Sequence, residues 1–590
     1  QAMMPPPPCS FITLTPLKQS HDHNVVRVAR ETTISGEQVI HIAGGPHQGI
    51  IVNKLNGQAF EDDGETHVEL SYSVWMQSGA DAKQEKRTMS FRLASVDDME
   101  GGHAAVNSFF RQLMQSFPRD YVSFMKRVLK LMQEGFEEIA RVDLDMRFVA
   151  EEEQIAIPDA VQYDSSSEAE PVTASLVQEI LEHAYPNGLT LDTICEALRC
   201  TNEEAEGFLR ELESTGIVQR VGDEWIRVDT RNVDGITRAN ALAATSDHPT
   251  VAIICCLFVE KQAIDALLED PSTVHKYKSG GDSNVYTLGR IGNHRVVATK
   301  LGSIGDSREA TTSAGSITTR LLGNFQHIEH VLVVGVGGGV PNYADKKRHV
   351  RLGDVVVASR YVYGAELLVD RQTEQLRDFA TRVYAPPDQM IAAMLTGTAA
   401  DTLLTDWEAH TSEAIGRLSC STDVDFTRPP PETDVLALSV GGGNVVVVPH
   451  PDPERKQSKF HVGPVGGLAG VRAKSGTNGT TTGMTNGNGT GGHDADASGA
   501  STGITVEQEE ESQGQIRERF ASLYGLKSID VGFDSVVAGI VGSRIDSWTL
   551  VRGIADYQNG QSRASRTWQA HAATRAAAMA RAIVERIPKA

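Results

Sequence analysis

Residues 330–342 read HVLVVGVGGGVPN. The apolar run is far shorter than the ~20 residues that span a bilayer, and it suits a strand buried on both faces. The glycines that follow let backbone N–H groups approach an anion or a hydroxyl without Cβ obstruction. Counted from Gly335 and Gly337, the third glycine of a dinucleotide fingerprint would fall at Val340, and no Gly-Lys-Ser/Thr follows. Neither an NAD motif nor a P-loop is present there. The stretch predicts a strand that runs into a glycine loop within an α/β sheet.

The flanking chain repeats the alternation. Apolar runs TVAIICCLFV (250–259), HRVVATKLG (294–302), LGDVVVASRYV (352–362) and DSWTLVRGIADY (546–557) interleave with helical patterns such as EKQAIDALLED (260–270) and AHAATRAAAMARAIVERI (570–587). Buried strands separated by helices predict a sheet covered on both faces, with ligands at the C-terminal strand ends. This unit is expected to span 250–590, interrupted by a Gly/Thr/Asn-rich and then acidic tract at 475–511 that reads as a disordered insertion.

Upstream, residues 1–9 read as disordered. Residues 10–150 read as a β-rich unit that turns helical, with short alternating runs to about Leu93 and apolar residues three and four apart from about Ala104 to Val142. An acidic, serine-bearing linker covers 151–171, and a further linker is expected at 230–249. Between them, 172–229 shows three helical segments and two short strands around Gly222-Asp223, a pattern that resembles a winged helix-turn-helix. Its third helix carries Glu203, Glu204, Glu206, Glu211 and Glu213 against Arg210. Phosphate contacts need Lys or Arg, so nucleic acid is an unlikely partner and a protein partner is expected for this acidic unit. The fold class is thus α/β, preceded by a winged helix and a β-rich α+β region.

Composition sets the outer bounds. With 55 basic and 77 acidic residues among 590, the formal net charge is -22, which opposes unspecific attraction to nucleic acid. The length predicts several units. Six cysteines without a CxxC or a regular framework suit reduced thiols, with no structural disulfide, zinc or other metal and no cofactor. The N-terminal QAMMPPPPCS lacks the form of a signal peptide, and no apolar stretch is long enough to span a membrane, so a cytoplasmic or nuclear location is expected.

Taken in order, VAIICCLFVEKQAI with Glu260, YTLGRIGNHRVVATKL (286–301), VLVVGVGGGVPN, RLGDVVVAS (351–359), FHVGPVGG (460–467) and VRGIADY before WQAHAATRAAAMARAIV resemble the nucleoside phosphorylase superfamily. That superfamily includes purine nucleoside phosphorylases, uridine phosphorylases and methylthioadenosine/adenosylhomocysteine nucleosidases. The style of the motifs is similar to eukaryotic members that append such a domain to signalling modules, some relatives of which are ATP nucleosidases. The resemblance implies cleavage of a purine nucleoside or nucleotide, with hydrolysis favoured over phosphorolysis, so with water rather than phosphate as the expected co-substrate, and a homo-oligomer.

The same resemblance assigns roles. Asp556 matches the general acid that protonates the leaving base, with Arg552 beside it, and Glu260 matches the acid that activates water. Gly337, Gly338 and Gly339 would cradle water, phosphate or a 5′ substituent, Arg308 would grip phosphate, and Val471 and Phe533 would line the pocket. Glu260 also has a simpler reading, since a carboxylate suits a helix N-terminus.

Two departures stand out. Where relatives read F-E-M-E-A-A-G, this chain reads FDSVVAG (533–539), which sets Asp534 at the first acid and Val536 at the ribose-binding one. Either Asp534 or Ser535 takes over the sugar, the substrate differs, or the domain is a degenerate sensor or scaffold. Lys346, Lys347, Arg348 and Arg351 follow the glycines and are equally readable as a phosphate receptor or a solvated turn.

Overall fold

Strand pairing in the C-terminal half follows from burial on both faces. The computed structural model describes residues 11–20, 22–32, 39–43, 50–54, 66–78, 81–115, 117–118, 120–149, 172–228, 248–275, 285–302, 308–369, 376–396, 399–420, 424–440, 445–468 and 513–588. The tract at 475–511, the linker at 151–171 and nearly all of the linker at 230–249 lie outside them, as does Val471.

In the N-terminal unit, β1 (Phe11–Gln19), β2 (His23–Glu31), β3 (Val39–Ile42), β4 (Ile50–Asn53), β5 (Val68–Ser78), β6 (Asp81–Leu93) and β7 (Ile139–Phe148) form one sheet, with α1 (Met99–Gln115) and α2 (Tyr121–Glu134) on its apolar face. The apolar spacing of the sequence predicts helix as far as about Val142. Gly135 ends α2, and the alternating IARVDLDMRF that follows pairs with β2 and β6 as a strand.

The winged-helix unit comprises α3 (Ala174–Ala184), β8 (Leu189–Thr190), α4 (Leu191–Leu198), α5 (Asn202–Ser214), β9 (Val218–Val221) and β10 (Glu224–Arg227) around Val177, Leu181, Ile194, Leu209 and Trp225. Thr173, Thr190 and Thr201 cap the three helices, and Glu204 completes a capping box with Thr201. Part of the acidity of α5 therefore serves its own N-terminus. The unit docks through Lys300, whose ammonium donates to the carbonyls of His183 and Tyr185 at 3.0 Å each.

The C-terminal half contains β11 (Val251–Cys255), α6 (Phe258–Leu267), β12 (Glu269–His275), β13 (Val285–Ile291), β14 (His294–Lys300), α7 (Arg308–Asn324), β15 (His330–Gly339), β16 (Val355–Val369), β17 (Leu376–Tyr384), α8 (Met390–Met394), α9 (Ala399–Ser419), β18 (Ala437–Ser439), β19 (Val445–Val447), β20 (Phe460–Leu468), α10 (Gln513–Tyr524), β21 (Ser528–Asp530), α11 (Asp534–Gly542), β22 (Ser547–Asp556) and α12 (Arg566–Val584). Its large sheet runs β12-β13-β14-β11-β15-β21-β20-β16-β17, with β22 pairing parallel to β15 and antiparallel to β16. All ten residues of β15 and of β22 are buried. Alternation along β15 sends Leu332 and Val334 into the core under α12, and Val331 and Val333 into the core with Leu321, Val537 and Ile540 of α7 and α11. Close approach of α12 explains Gly553: a Cβ there would lie 1.9 Å from the Ala572 carbonyl oxygen.

The two halves are not separate along the chain. The β18–β19 hairpin extends the N-terminal sheet, with Val445 opposite Trp75, and Tyr343, Leu436 and Val446 sit in the N-terminal core.

Candidate active site

Helix α6 begins immediately after β11, and Glu260 in its first turn folds back to close that junction. Its Oε2 accepts from the backbone N–H groups of Cys256 and Leu257 at 2.8 Å, and its Oε1 accepts from Val336 at 2.7 Å. The helix-start reading is thus realised, and the same carboxylate is buried against the central strand. A Cβ on Gly335 would meet Glu260 Oε1 at 2.4 Å. Burial pushes the Glu260 carboxyl above its usual range, against the three backbone donors and the nearby Arg552.

Arg552 is paired with Gly335 in the β15–β22 register and is fully buried. Its Nε donates to Asp530 Oδ2 at 3.0 Å, and its guanidinium carbon lies 4.1 Å from the centre of the Phe533 ring. Asp530 ends β21, and its Oδ1 accepts from the Tyr361 hydroxyl at 3.1 Å and from Gly532 N–H at 3.0 Å. Burial raises the Asp530 carboxyl, with Arg552 opposing. Arg552 Nη2 and Ser528 Oγ are buried without a hydrogen-bond partner, and Ser528 Oγ would lie 2.6 Å from a Cβ on Gly337. These orphaned groups next to two carboxylates can receive a small polar group.

The register places Asp556 opposite Gly338, three residues along β15 from Arg552's partner Gly335, or roughly 10 Å. Its Oδ1 accepts from the N–H groups of Gln558 and Gly560 at 2.8 Å, and its Oδ2 accepts from the Ser562 hydroxyl at 2.6 Å and from Ser562 N–H at 3.2 Å. A cavity of about 350 Å³ opens beside it, lined among others by Gly339, Tyr343, Leu438, Arg517 and Tyr557. The following residue, Tyr557, donates to Asp434 Oδ1 at 2.6 Å, and Asp434 Oδ2 accepts from Arg351 Nε at 2.8 Å.

The glycines depart from expectation. Gly337, Gly338 and Gly339 belong to β15 rather than to an open loop, and they pair with β21 and β22. The chain after β22 packs directly on them. Gly560, at φ +81°, has no space for a Cβ because it would meet the Gly337 backbone at 2.5 Å, and a Cβ on Gly338 would meet the Gln558 backbone at 2.3 Å. These glycines permit backbone-on-backbone packing beside the cavity, which Gly339 lines.

Other assigned residues divide similarly. Phe533 lies on Arg552. Asp534 faces away from that cluster, bonding Arg382 Nη1 at 2.9 Å and the Tyr384 hydroxyl at 2.8 Å. Ser535 packs near Gly315 of α7, and Val536 is a core residue of α11. The carboxylate that meets Arg552 is Asp530, four residues before Asp534. Its signal in the sequence is a short apolar run ending in an acid before Val-Gly (SID, 528–530), while the resemblance to the family motif lies in FDSVVAG. Arg308 opens α7, but its side chain lies outside what is described, and Val471 does too. The basic cluster does not converge: Arg351 is buried on Asp434, Arg348 pairs with Glu100, and Lys346 and Lys347 are exposed. The solvated-turn reading fits the two lysines.

Among the described residues, no group of three or more His, Cys, Asp or Glu side chains converges to hold a metal, and no helix is long and apolar enough to cross a membrane.

Comparison with known proteins identifies two units. Residues 250–484 match the model of the phosphorylase superfamily, and residues 163–229 match that of the winged helix-turn-helix domain. No curated protein matches the chain. Similar solved structures include the 5′-methylthioadenosine/S-adenosylhomocysteine nucleosidase of Neisseria meningitidis in complex with methylthio-immucillin-A, at 12% identity, covering 57% of this chain and 99% of that one, with a TM-score of 0.31. The corresponding nucleosidase of Helicobacter pylori shows 12% identity, coverage of 58% and 100%, and a TM-score of 0.31. The futalosine hydrolase of Helicobacter pylori strain 26695 shows 12% identity, coverage of 57% and 98%, and a TM-score of 0.30.

Proposed function

We propose that the phosphorylase superfamily domain of this chain cleaves the N-glycosidic bond of a purine nucleoside by hydrolysis. The observation that carries the reading is the position of Asp556: it ends β22, lines the 350 Å³ cavity, and lies about 10 Å along the sheet from the buried Glu260–Arg552–Asp530 cluster. The departing base is electron-rich and the sugar becomes cationic, so an acid at the base and carboxylates near the sugar both lower the barrier.

In this reading the Asp556 carboxyl gives its proton to the base as the bond breaks. The base must first displace a donor from the Gln558–Ser562 turn, which now occupies both Asp556 oxygens. Glu260 and the unpartnered Arg552 Nη2 orient the attacking water, Glu260 takes the proton that this water loses as its oxygen bonds the sugar carbon, and Asp530 takes the sugar-binding part that Val536 cannot fill.

Charge favours water and an uncharged nucleoside over phosphate or a triphosphate. Among the described residues lining the cavity, Arg517 is the one cationic side chain, against Glu518 and Asp556. A polyphosphate is better held by several convergent cations.

A binding-only domain is the second reading. It is favoured by the saturation of Glu260 and Asp556 with donors from their own turns. The test is chromatographic detection of free base after incubating the full chain with adenosine, inosine, methylthioadenosine, AMP and ATP, with and without phosphate. Phosphate-independent release from the nucleosides supports hydrolysis, and no release from any substrate supports binding alone. The full chain is required because the β18–β19 hairpin belongs to the N-terminal sheet.

A further inference from the structure

The cavity beside Asp556 is walled in part by the N-terminal unit. Met114 and Gln115, in the last turn of α1, line it together with Asp556 and Gly339. Their placement is fixed by ties between α1 and the segment that leaves the glycine strand. Asn107 Oδ1 accepts from Tyr343 N–H at 2.8 Å, and Arg111 Nη2 donates to the Pro341 carbonyl at 2.5 Å. Arg111 Nη1 also pairs with Glu518 of α10 at 2.9 Å, and the Phe110 and Tyr343 rings meet edge-on at 5.0 Å. Arg111 is 5% exposed, so these contacts are a packed junction rather than a surface graze. The β18–β19 hairpin adds a second tie, and its Ala437 and Leu438 line the same cavity.

We propose that Met114 and Gln115 are specificity-determining residues of the nucleoside pocket, so that the N-terminal β-rich unit is a structural part of the active site in the same chain. This rests on the nucleoside reading given above. Methionine supplies an adaptable apolar surface for a base or sugar face. The glutamine amide already has a partner within the protein, but with two N–H donors and an oxygen of two lone pairs it retains capacity for a purine edge or a ribose hydroxyl. Selectivity for the ligand is thereby set outside the α/β domain that carries Asp556.

The test uses the full chain with adenosine as the probe, and it reads affinity by calorimetry beside base release. Gln115→Leu keeps the bulk and removes the amide, Met114→Trp fills the cavity, and Asp556→Asn removes the proposed acid. Gln115→Leu is expected to weaken adenosine binding and raise KM by about fivefold, the size of one lost hydrogen bond, with the change falling on KM rather than kcat. Met114→Trp is expected to weaken binding at least tenfold, and Met114→Ala, which enlarges the pocket, to change the preference between adenosine and methylthioadenosine. Circular dichroism melting curves within a few degrees of wild type separate these effects from misfolding. Wild-type affinity in both Gln115→Leu and Met114→Trp overturns the wall. Base release undiminished in Asp556→Asn overturns the cleavage reading instead, while the affinity shifts still decide the wall. Absence of adenosine binding by the wild-type chain overturns both.

Discussion

Arg552 and Asp530 form an ion pair with no side-chain exposure on either partner, Nε to Oδ2 at 3.0 Å, at the heart of the large sheet. Arg552 also carries an unpartnered Nη2, so the pair is incomplete as a structural device and ready to receive a further polar group. Removing one partner of such a pair leaves a buried charge uncompensated.

Arg552→Met or Asp530→Ala should therefore lower stability by about 3–5 kcal/mol. Urea denaturation of each single variant and of the double variant measures this. The double variant should be less destabilised than the sum of the singles. Additive losses would mean that the two side chains do not interact.

Acid should weaken the chain in two stages. Burial holds the His349 imidazole down to about 3, with His450 and Arg455 adding to the effect. Below about pH 6.5 the unfolded chain takes up a proton that folded His349 refuses, so stability falls as pH falls from there. Burial alone would raise Asp434, but His450, Tyr557 and Arg351 outweigh it and hold the carboxyl down to about 2. Its contribution, on the order of 2 kcal/mol, is present above pH ~4 and is lost as pH falls towards ~2. Denaturation curves at pH 7, 5 and 4 should show a shallower pH slope in His349→Gln. Parallel slopes would remove His349 from the account.

The winged-helix unit should loosen when Lys300 is replaced. Lys300→Met deprives the His183 and Tyr185 carbonyls of a charged donor at the end of α3, a loss of about 1.5–3 kcal/mol per bond to a charged group at most. Hydrogen exchange should rise in α3 to α5 and stay unchanged in α12. Unchanged protection in α3 would show that Phe258, under the Arg227 guanidinium at 4.9 Å, holds the unit without it.

Gly553→Ala should be among the most damaging single-methyl additions, because the new Cβ meets the Ala572 carbonyl of α12 at 1.9 Å. Overpacking of this kind costs about 1–3 kcal/mol or more. A melting temperature equal to wild type would mean that α12 shifts freely.

The sheet was legible because its strands are buried on both faces and its helices keep apolar periodicity, so HVLVVGVGGG and DSWTLVRGIAD each read as central strands. Glu260 and Asp556 were legible as acids at strand ends. Asp530 was not, since its strand is only three residues long and its importance comes from Arg552, 22 residues later. The closed packing of Gly337 and Gly338 depends on a turn more than 200 residues away, and a local glycine pattern cannot distinguish an open cradle from a covered strand. Likewise, nothing local to residues 437–447 announces that they complete the N-terminal sheet.

The most direct test of the central claim is single-turnover release of adenine from adenosine by the full chain and by Asp556→Asn, with adenosine affinity measured for both. The account predicts that Asp556→Asn binds adenosine but releases base at least 100-fold more slowly, the scale of a lost general acid. Equal release rates in the two proteins would contradict it.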